Sequence, residues 1–397
     1  MQNGQVQGFG FHTLALLCAV GFAGPLLASV KRFRIPVVIG ELVVGCAVGR
    51  TGFDLIDVAE PTFQLLANIG FALVMFVVGT HVPVRVSATR SVLPRAVARA
   101  MLAGGVAVAL GFGLAATFGT GHPALYAVLM ASSSAALALP VIDSLRLRGR
   151  QVLSVTTQIA IADAACIVLL PLVIDTRRAP TAALGALAVA GFAVALFVVL
   201  HIVDRKGWRT RLHRYSEKRR FALELRTSLL VLFGLAALAV TTHVSIMLAG
   251  FAVGLVIGTV GEPRRLARQL FGITEGFFSP LFFVWLGASL QVRELGAHPR
   301  LILLGAGLGF GAVLAHCAGR LLGQPLAFGV LSAAQLGVPV AAATIGTQQH
   351  LLAAGEASAL MFGSVLTIAC TSIAGASAAR SQGGADAPGV LAPERSQ

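Results

Sequence analysis

The sequence contains little charge, since only 12% of its 397 residues are Asp, Glu, Lys or Arg, whereas 56% are hydrophobic. A soluble globular protein carries about 25% charged residues. A chain this poor in charge cannot cover a folded surface with polar groups, so lipid must be its solvent. The composition therefore excludes an ordinary soluble domain and predicts a polytopic membrane protein in a lipid bilayer.

Other scarcities exclude further classes. The five cysteines stand alone in apolar segments, which argues against a disulfide framework or a cysteine metal site. No Ser/His, Cys/His or paired-carboxylate constellation converges, so we predict that the chain is not an enzyme and needs no cofactor. The net charge of +14 does not indicate a nucleic-acid partner, because the basic residues lie in short loops between apolar runs.

Apolar runs of about 20 residues are long enough to cross a bilayer as helices. They predict an all-α fold with about thirteen transmembrane helices, of which the second and ninth are short. The predicted spans are residues 9–30, 35–50, 60–79, 92–118, 122–142, 151–175, 181–203, 223–242, 245–260, 270–290, 300–321, 324–349 and 356–379.

The basic residues predict the orientation. Almost all Lys and Arg residues follow odd-numbered spans or lie in the C-terminal tail, and such residues stay on the cytoplasmic side. We therefore expect a multi-pass protein of the inner (plasma) membrane with its N-terminus outside and its C-terminus in the cytoplasm. The exceptions, in the even-numbered loops, are Arg50, Arg177, Arg178, Arg293 and Arg300.

The two halves of the chain resemble each other. Residues 73–85 share Leu, Gly, Val and Arg positions with residues 281–293. Equivalent spans are seven apart, an odd number, so the halves must face opposite ways, as in the inverted repeats of secondary transporters. The matching glycines are Gly45, Gly49 and Gly52 in span two, and Gly254, Gly258 and Gly261 in span nine.

The repeat sets the predicted domain organisation. Residues 1–380 are expected to form one transmembrane domain, with repeat one at 9–175, a linker helix and basic loop at 181–222, and repeat two at 223–380. The remaining residues, 381–397, are rich in Gly, Ala, Pro and Ser and predict a disordered cytoplasmic tail.

Two matched spans carry helix-breaking residues, and such folds place their site where helices break. Span five contains Ser132–Ser134 followed by Pro140, and span twelve contains Gly337 and Pro339. Proline removes a backbone donor, and the freed carbonyl groups can coordinate a cation when they line a cavity. An ordinary proline kink in each span is the alternative.

One carboxylate, Asp163, lies near the middle of span six. A charge at bilayer depth is unfavourable by about 2.5–3.5 kcal/mol on insertion scales and marks a functional site by default. Such an acid can hold a proton or a desolvated cation in turn, although a purely structural Asp is the alternative. Glu41 and Glu275 lie nearer the ends of their spans and are weaker candidates, and His316 is expected to be a packing residue.

The chain resembles the monovalent cation:proton antiporter superfamily, which includes bacterial sodium/proton and potassium/proton exchangers. The resemblance covers about residues 10–380. It implies a homodimer, an elevator-type movement, and ion binding at Asp163 assisted by Ser133 and Ser134, with Ser132 and Gln335 in support. The residues that carry it are 35–45, 69–79, 131–135, 162–163, 280–284 with Gly287, and 334–337.

This sequence departs from the family pattern at two positions. Ala162 stands where members usually have a second polar or acidic residue, and Leu308 stands where many have Lys or Arg, since Arg320 is too near the end of its span. A single carboxylate indicates electroneutral exchange of one proton for one Na⁺ or K⁺. An organic-solute symporter of similar fold, or a non-transporting sensor or partner protein, remains an alternative.

Overall fold

A computed structural model describes residues 10–29, 37–80, 87–205, 221–242, 244–261, 264–290 and 292–383. All regular elements in these ranges are helices, which confirms the all-α prediction. The last helix runs to Gly383, past the predicted start of the tail at residue 381. The rest of that tail and most of the predicted basic loop lie outside the described residues.

The helices follow one another with short connections. A π-helical turn, Thr274–Phe278, joins the helix Arg264–Ile273 to the helix Ser279–Ser289, and a 3₁₀ turn, Ala318–Leu322, follows the helix Pro299–Cys317. The helices are α1 Phe11–Gly21, α2 Ala23–Ser29, α3 Val37–Val48, α4 Pro61–Thr80, α5 Ser87–Phe118, α6 Pro123–Ala131, α7 Ala135–Ser144, α8 Arg150–Ile174, α9 Ala179–Arg205, α10 Leu223–Thr241, α11 Ile246–Val260, α12 Arg264–Ile273, α13 Ser279–Ser289, α14 Val292–Ala297, α15 Pro299–Cys317, α16 Leu326–Ser332, α17 Gly337–Gln348 and α18 Glu356–Gly383.

Each predicted span coincides with a helix or a pair of helices. Within the described ranges, 10 segments are long and apolar enough to cross a membrane. The other predicted spans are the shorter helices α3 and α11 and the interrupted pair α6 and α7. The multi-pass membrane fold is confirmed, and the number of thirteen crossings stays a prediction.

The helices pack as two bundles. The crossing bundle comprises α5 to α8 and α15 to α18, and the scaffold bundle comprises α1 to α4 and α9 to α13. The two bundles contact each other less than their own helices do. Most of the contacts between the bundles join α8 to α9 and α7 to α4. Each bundle therefore takes helices from both halves of the sequence.

The glycines of the predicted repeat hold the scaffold bundle together by reciprocal contacts. A Cβ built on Gly45 of α3 would lie 3.0 Å from Cα of Gly287 on α13. A Cβ built on Gly254 of α11 would likewise lie 3.0 Å from Cα of Gly79 on α4. Glycine is needed at these positions because the helix backbones touch, as small residues allow between membrane helices. The two contacts are equivalent under the repeat.

Candidate functional site

Two helices of the crossing bundle are interrupted near their middle. The first half-helix, α6, ends at Ala131, Ser132 is extended with φ −70° and ψ 149°, and α7 begins at Ala135. In the second, α16 ends at Ser332 and α17 begins at Gly337. The breaks leave backbone groups without partners in their own helices. The prediction of matched broken spans is confirmed.

Side chains of each break satisfy carbonyl groups of the other. Ser133 Oγ donates a hydrogen bond to the carbonyl oxygen of Ser332 over 2.6 Å, and both residues are buried. In the opposite direction, the Gln335 amide donates to the carbonyl oxygen of Leu129 in the last turn of α6. These bonds bring the two interrupted helices together at a polar crossing inside an apolar bundle.

Asp163 lies at this crossing. It belongs to α8, its exposure is 3%, and its Oδ2 accepts a hydrogen bond of 3.1 Å from the backbone N–H of Ala135, the first residue of α7. A helix N-terminus favours a negative charge, so the half-helix is oriented to stabilise the ionised carboxylate. In the second repeat, Thr367 Oγ1 accepts a hydrogen bond from the backbone N–H of Gln335 over 3.2 Å. One repeat therefore carries a carboxyl group where the other carries a hydroxyl group.

His316 connects both breaks, which the sequence analysis did not expect. Its side chain is fully buried, with Nε2 at 3.2 Å from the carbonyl oxygen of Ser132 and Nδ1 at 3.3 Å from Oγ of Ser332. A carbonyl oxygen only accepts, so the first contact requires a proton on Nε2. The expectation of a plain packing histidine missed this role, because nothing in the local sequence of α15 shows which carbonyl groups lie opposite it.

Two glutamines extend the polar network. Gln158 lies on α8, where its amide donates to Ser332 Oγ over 3.4 Å, and Gln324 donates to Gln158 Oε1 over 3.0 Å. Both side chains are buried. Gln158 could have been found from the sequence, because a polar residue within an apolar span indicates a buried polar contact. Gln324 lies between two helices, where a polar residue is ordinary, so its position carried no such indication.

The remaining predicted residues take different places. Ser132 Oγ donates to the carbonyl oxygen of Leu129 over 2.7 Å, and Ser134 is buried in the break. Pro140 and Pro339 do not interrupt the helices, because Pro140 lies within α7 and Pro339 lies in the first turn of α17. A first-turn proline loses no intrahelical hydrogen bond, so Pro339 is compatible with the helix start.

Glu41 and Glu275 belong to the scaffold bundle, away from the crossing. Glu41 is buried on α3, and Glu275 lies in the π-helical turn before α13. Their carboxyl groups interact electrostatically with each other. Gly337, by contrast, faces the scaffold bundle, since a Cβ there would lie 3.1 Å from Met247 Sδ.

The two departures from the family pattern are also visible in the fold. Leu308 is buried on α15 and faces Gly363 of α18. A Cβ built on Gly363 would lie 3.2 Å from the Cβ of Leu308. Arg320 is exposed in the 3₁₀ turn after α15. An apolar side chain therefore lies at the position where the resemblance implies a cation in many members.

The family model for the transmembrane sodium/hydrogen exchanger matches residues 15–378. The chain belongs to this family. It therefore falls within the monovalent cation:proton antiporter superfamily, as the resemblance predicted. The matched region contains both breaks, Asp163 and His316.

Relatives of this exchanger-family chain are named as transporters. It is 22% identical to a putative Na⁺/H⁺ antiporter, YjbQ, of Bacillus subtilis over 91% of this chain and 62% of the relative. It is 28% identical to the glutathione-regulated potassium-efflux protein KefC of Enterobacter sp. over 74% of this chain and 48% of the relative. The chain thus spans about half to three fifths of the length of these relatives. The family and these relatives are named as exchangers, antiporters or efflux proteins and not as enzymes, in agreement with the prediction.

Solved structures of a sodium proton antiporter share the fold. The sodium proton antiporter MjNhaP1 of Methanocaldococcus jannaschii at pH 8 matches with a TM-score of 0.63 and 17% identity, over 92% of this chain and 96% of that one. An electron-microscopy map of the same antiporter matches with a TM-score of 0.67 over 97% and 99% of the two chains. At this identity the likeness supports the fold alone.

A polar cluster that the sequence analysis missed closes one end of the crossing bundle. Glu356, at the start of α18, accepts hydrogen bonds from Tyr126 OH over 2.6 Å and from the backbone N–H of Ala353 over 3.0 Å. His122 Nδ1 lies 2.9 Å from Glu356 Oε1. The cluster ties the start of α6 to the start of α18, and His122 precedes the first residue of α6.

This cluster predicts a pH dependence of stability. The hydrogen bond to Glu356 raises the pKa of His122, against the opposing effect of partial burial. A raised pKa in the folded state means that this ion pair stabilises the fold fully below about pH 6.5 and is lost as the pH rises through the raised value. Over that rise, we expect Tm in detergent to fall more steeply for wild type than for His122→Gln.

A second histidine provides the control for this experiment. His298 is exposed and precedes α15, so His298→Gln should keep the pH slope of the wild type. Parallel slopes for wild type and His122→Gln would show that the charge of His122 beside Glu356 does not contribute to stability.

A cavity of about 240 Å³ opens between the two bundles at the end where α17 terminates. Its polar lining includes Gln64 and Ser289 of the scaffold bundle and Thr344, Thr347 and Ser358 of the crossing bundle. Asp163 is not among the lining residues, so the cavity stops short of the carboxyl group.

Proposed function

We propose that this chain exchanges protons for a monovalent cation, with Asp163 as the shared binding group. The observation that carries the proposal is the burial of this carboxyl group at the junction of two broken helices. A buried carboxylate must be neutralised by a proton or by a cation. Because both ligands use the same oxygen atoms, binding of one excludes the other, which is the requirement for exchange.

Oxygen atoms near the break support cation binding. Alkali cations take hard oxygen ligands, and an extended segment inside a membrane protein is tolerated where its carbonyl groups line a site. Ser133 and Ser134 are the proposed assisting residues, and Ser132 and Gln335 are proposed to hold the crossing in shape through their bonds to Leu129. Gly337 is proposed to let the crossing approach the scaffold bundle.

We further propose that the exchange is electroneutral. Ala162 precedes Asp163 and Leu308 is apolar, so the proposed site has one carboxyl group without the additional acid and cation of many relatives. One carboxylate holds either one proton or one monovalent cation. The net charge carried in each direction is then the same, and membrane potential should not drive the cycle.

The two-bundle architecture supports an elevator-type movement of the crossing bundle against the scaffold bundle, because the bundles share fewer contacts with each other than their own helices share within each bundle. We propose a homodimer in the inner (plasma) membrane, formed through the scaffold bundle. Its helices α9 and α10 expose apolar side chains such as Leu184, Leu187 and Leu230. The basic loops support a cytoplasmic C-terminus and an external N-terminus.

Purified protein in proteoliposomes tests the proposal. After a pH gradient is imposed, Na⁺, K⁺, Li⁺ or choline is added in turn, and a fluorescent dye reports the internal pH. We expect proton movement with Na⁺ or K⁺, none with choline, and none in empty vesicles. Clamping the potential with an ionophore should leave the rate unchanged. Absence of proton movement with every alkali cation would favour the alternative of a non-transporting sensor.

A further inference from the structure

A basic cavity lies at the opposite end of the crossing bundle, at the start of α8. Its volume is about 320 Å³, and it is lined by three arginines, Arg95, Arg99 and Arg150, together with Gln151 and Ser154. Among the described residues that line it, none is acidic. The cavity belongs neither to the crossing at Asp163 nor to the cavity between the bundles.

Arg99 is the buried centre of this cavity. Its exposure is 3%, and it donates from Nη1 to Ser154 Oγ over 3.1 Å and from Nη2 to the carbonyl oxygen of Leu322 over 3.0 Å. Its Nε is buried and has no hydrogen-bond partner among the described residues. Both of its protein partners are neutral, and a buried guanidinium group without a counter-charge is unfavourable.

The other groups around Arg99 also attract anions. Arg95 and Arg150 are exposed at the rim, and Arg150 is the first residue of the long helix α8. The cap residue Gly149 offers no side-chain hydrogen bond, so the first N–H groups of α8 remain available as donors. Guanidinium groups bind phosphate through paired hydrogen bonds.

We propose that this cavity binds the phosphate group of an anionic ligand. The cavity holds about ten times the ~30 Å³ that one water occupies in the liquid, so a phosphate with a small substituent fits within it. Two sources share this chemistry, namely the head group of an anionic phospholipid and a soluble phosphate compound. The bound group would supply the counter-charge that Arg99 lacks and would link α5, α8 and the turn after α15. The proposal does not depend on the transport activity.

Thermal stability measures the binding in two arms. In the soluble arm, Tm in detergent is followed with inorganic phosphate or glycerol 3-phosphate against sodium chloride at equal ionic strength. In the lipid arm, Tm is compared in nanodiscs of phosphatidylglycerol and of phosphatidylcholine. A ligand that binds only the folded state raises Tm. We expect a rise for the wild type in at least one arm, and the arm that responds identifies the source.

Variants test whether the arginines cause the rise. Arg95→Gln with Arg150→Gln removes two exposed charges and leaves Arg99 in place, so about tenfold or more ligand should be needed for the same shift. The matched control is Arg177→Gln with Arg300→Gln, two exposed arginines at the other end of the protein, which should respond like wild type. No shift in either arm, or equal shifts in wild type and the Arg95/Arg150 variant, would overturn the proposal and leave Arg99 as a structural link between helices.

Discussion

Replacing Asp163 with Asn is expected to abolish cation-dependent proton movement. Asn has nearly the same size as Asp, and its Oδ1 can still accept the hydrogen bond from the N–H of Ala135. The amide group, however, cannot release a proton and carries no charge to balance a cation. The fold should therefore persist while both exchanged ligands lose their binding group. The vesicle assay with the internal pH dye measures this loss directly.

The control for Asp163→Asn lies just after the same helix. Asp175 follows α8, pairs with Arg178 over 3.5 Å and lies outside the crossing. Surface ion pairs contribute about 0–1 kcal/mol, so Asp175→Asn should transport at the wild-type rate. Wild-type exchange by Asp163→Asn would remove Asp163 from the mechanism and direct attention to Glu41, the buried carboxyl group of the scaffold bundle.

Replacing Gly254 with Ala is expected to destabilise the fold strongly. A Cβ at this position would overlap the carbonyl oxygen of Phe76, far inside van der Waals contact. The obstacle is backbone and not a flexible side chain, so α11 and α4 must separate along their length. Overpacking of this kind typically destabilises by 1–3 kcal/mol, and we expect about 3 kcal/mol or more here. Tm in detergent and the folded fraction on size exclusion report the effect.

A second glycine supplies the control for this contact. A Cβ on Gly104 of α5 meets nothing within 4 Å, so Gly104→Ala should leave Tm unchanged or raise it. Alanine is favoured over glycine inside a helix by about 1 kcal/mol. If Gly254→Ala and Gly104→Ala melted alike, the close approach of α11 to α4 would not be a determinant of stability.

Hydropathy predicted the helical class and the span positions, and the helix-breaking residues of two matched spans predicted the two interrupted helices. These features depend on residues close together in the chain, and each span carries its own signal. Asp163 could also be found in this way, because a single acid among apolar residues stands out locally. The glycine pattern marked equivalent positions in the two repeats, and the structure adds that helix backbones touch at these positions.

Pairing across the crossing could not be predicted in this way. Ser133 and Ser332 are 199 residues apart, and His316 reaches Ser132 from a distance of 184 residues in sequence. Pro140 and Pro339 drew attention to the correct spans but not to the interrupted residues. The position of each break depends on which distant side chains are available to satisfy the freed backbone groups.

The amino-acid sequence by itself determined that this chain is a membrane protein and which segments can cross the bilayer. It also determined which of these segments carries a carboxyl group near its middle. Only the tertiary structure decided that the carboxyl group faces the start of α7, that His316 joins both breaks, and that three arginines surround one cavity. The reason is physical: transfer of a segment into lipid depends on its own composition, whereas a binding site depends on the distances between segments that packing brings together.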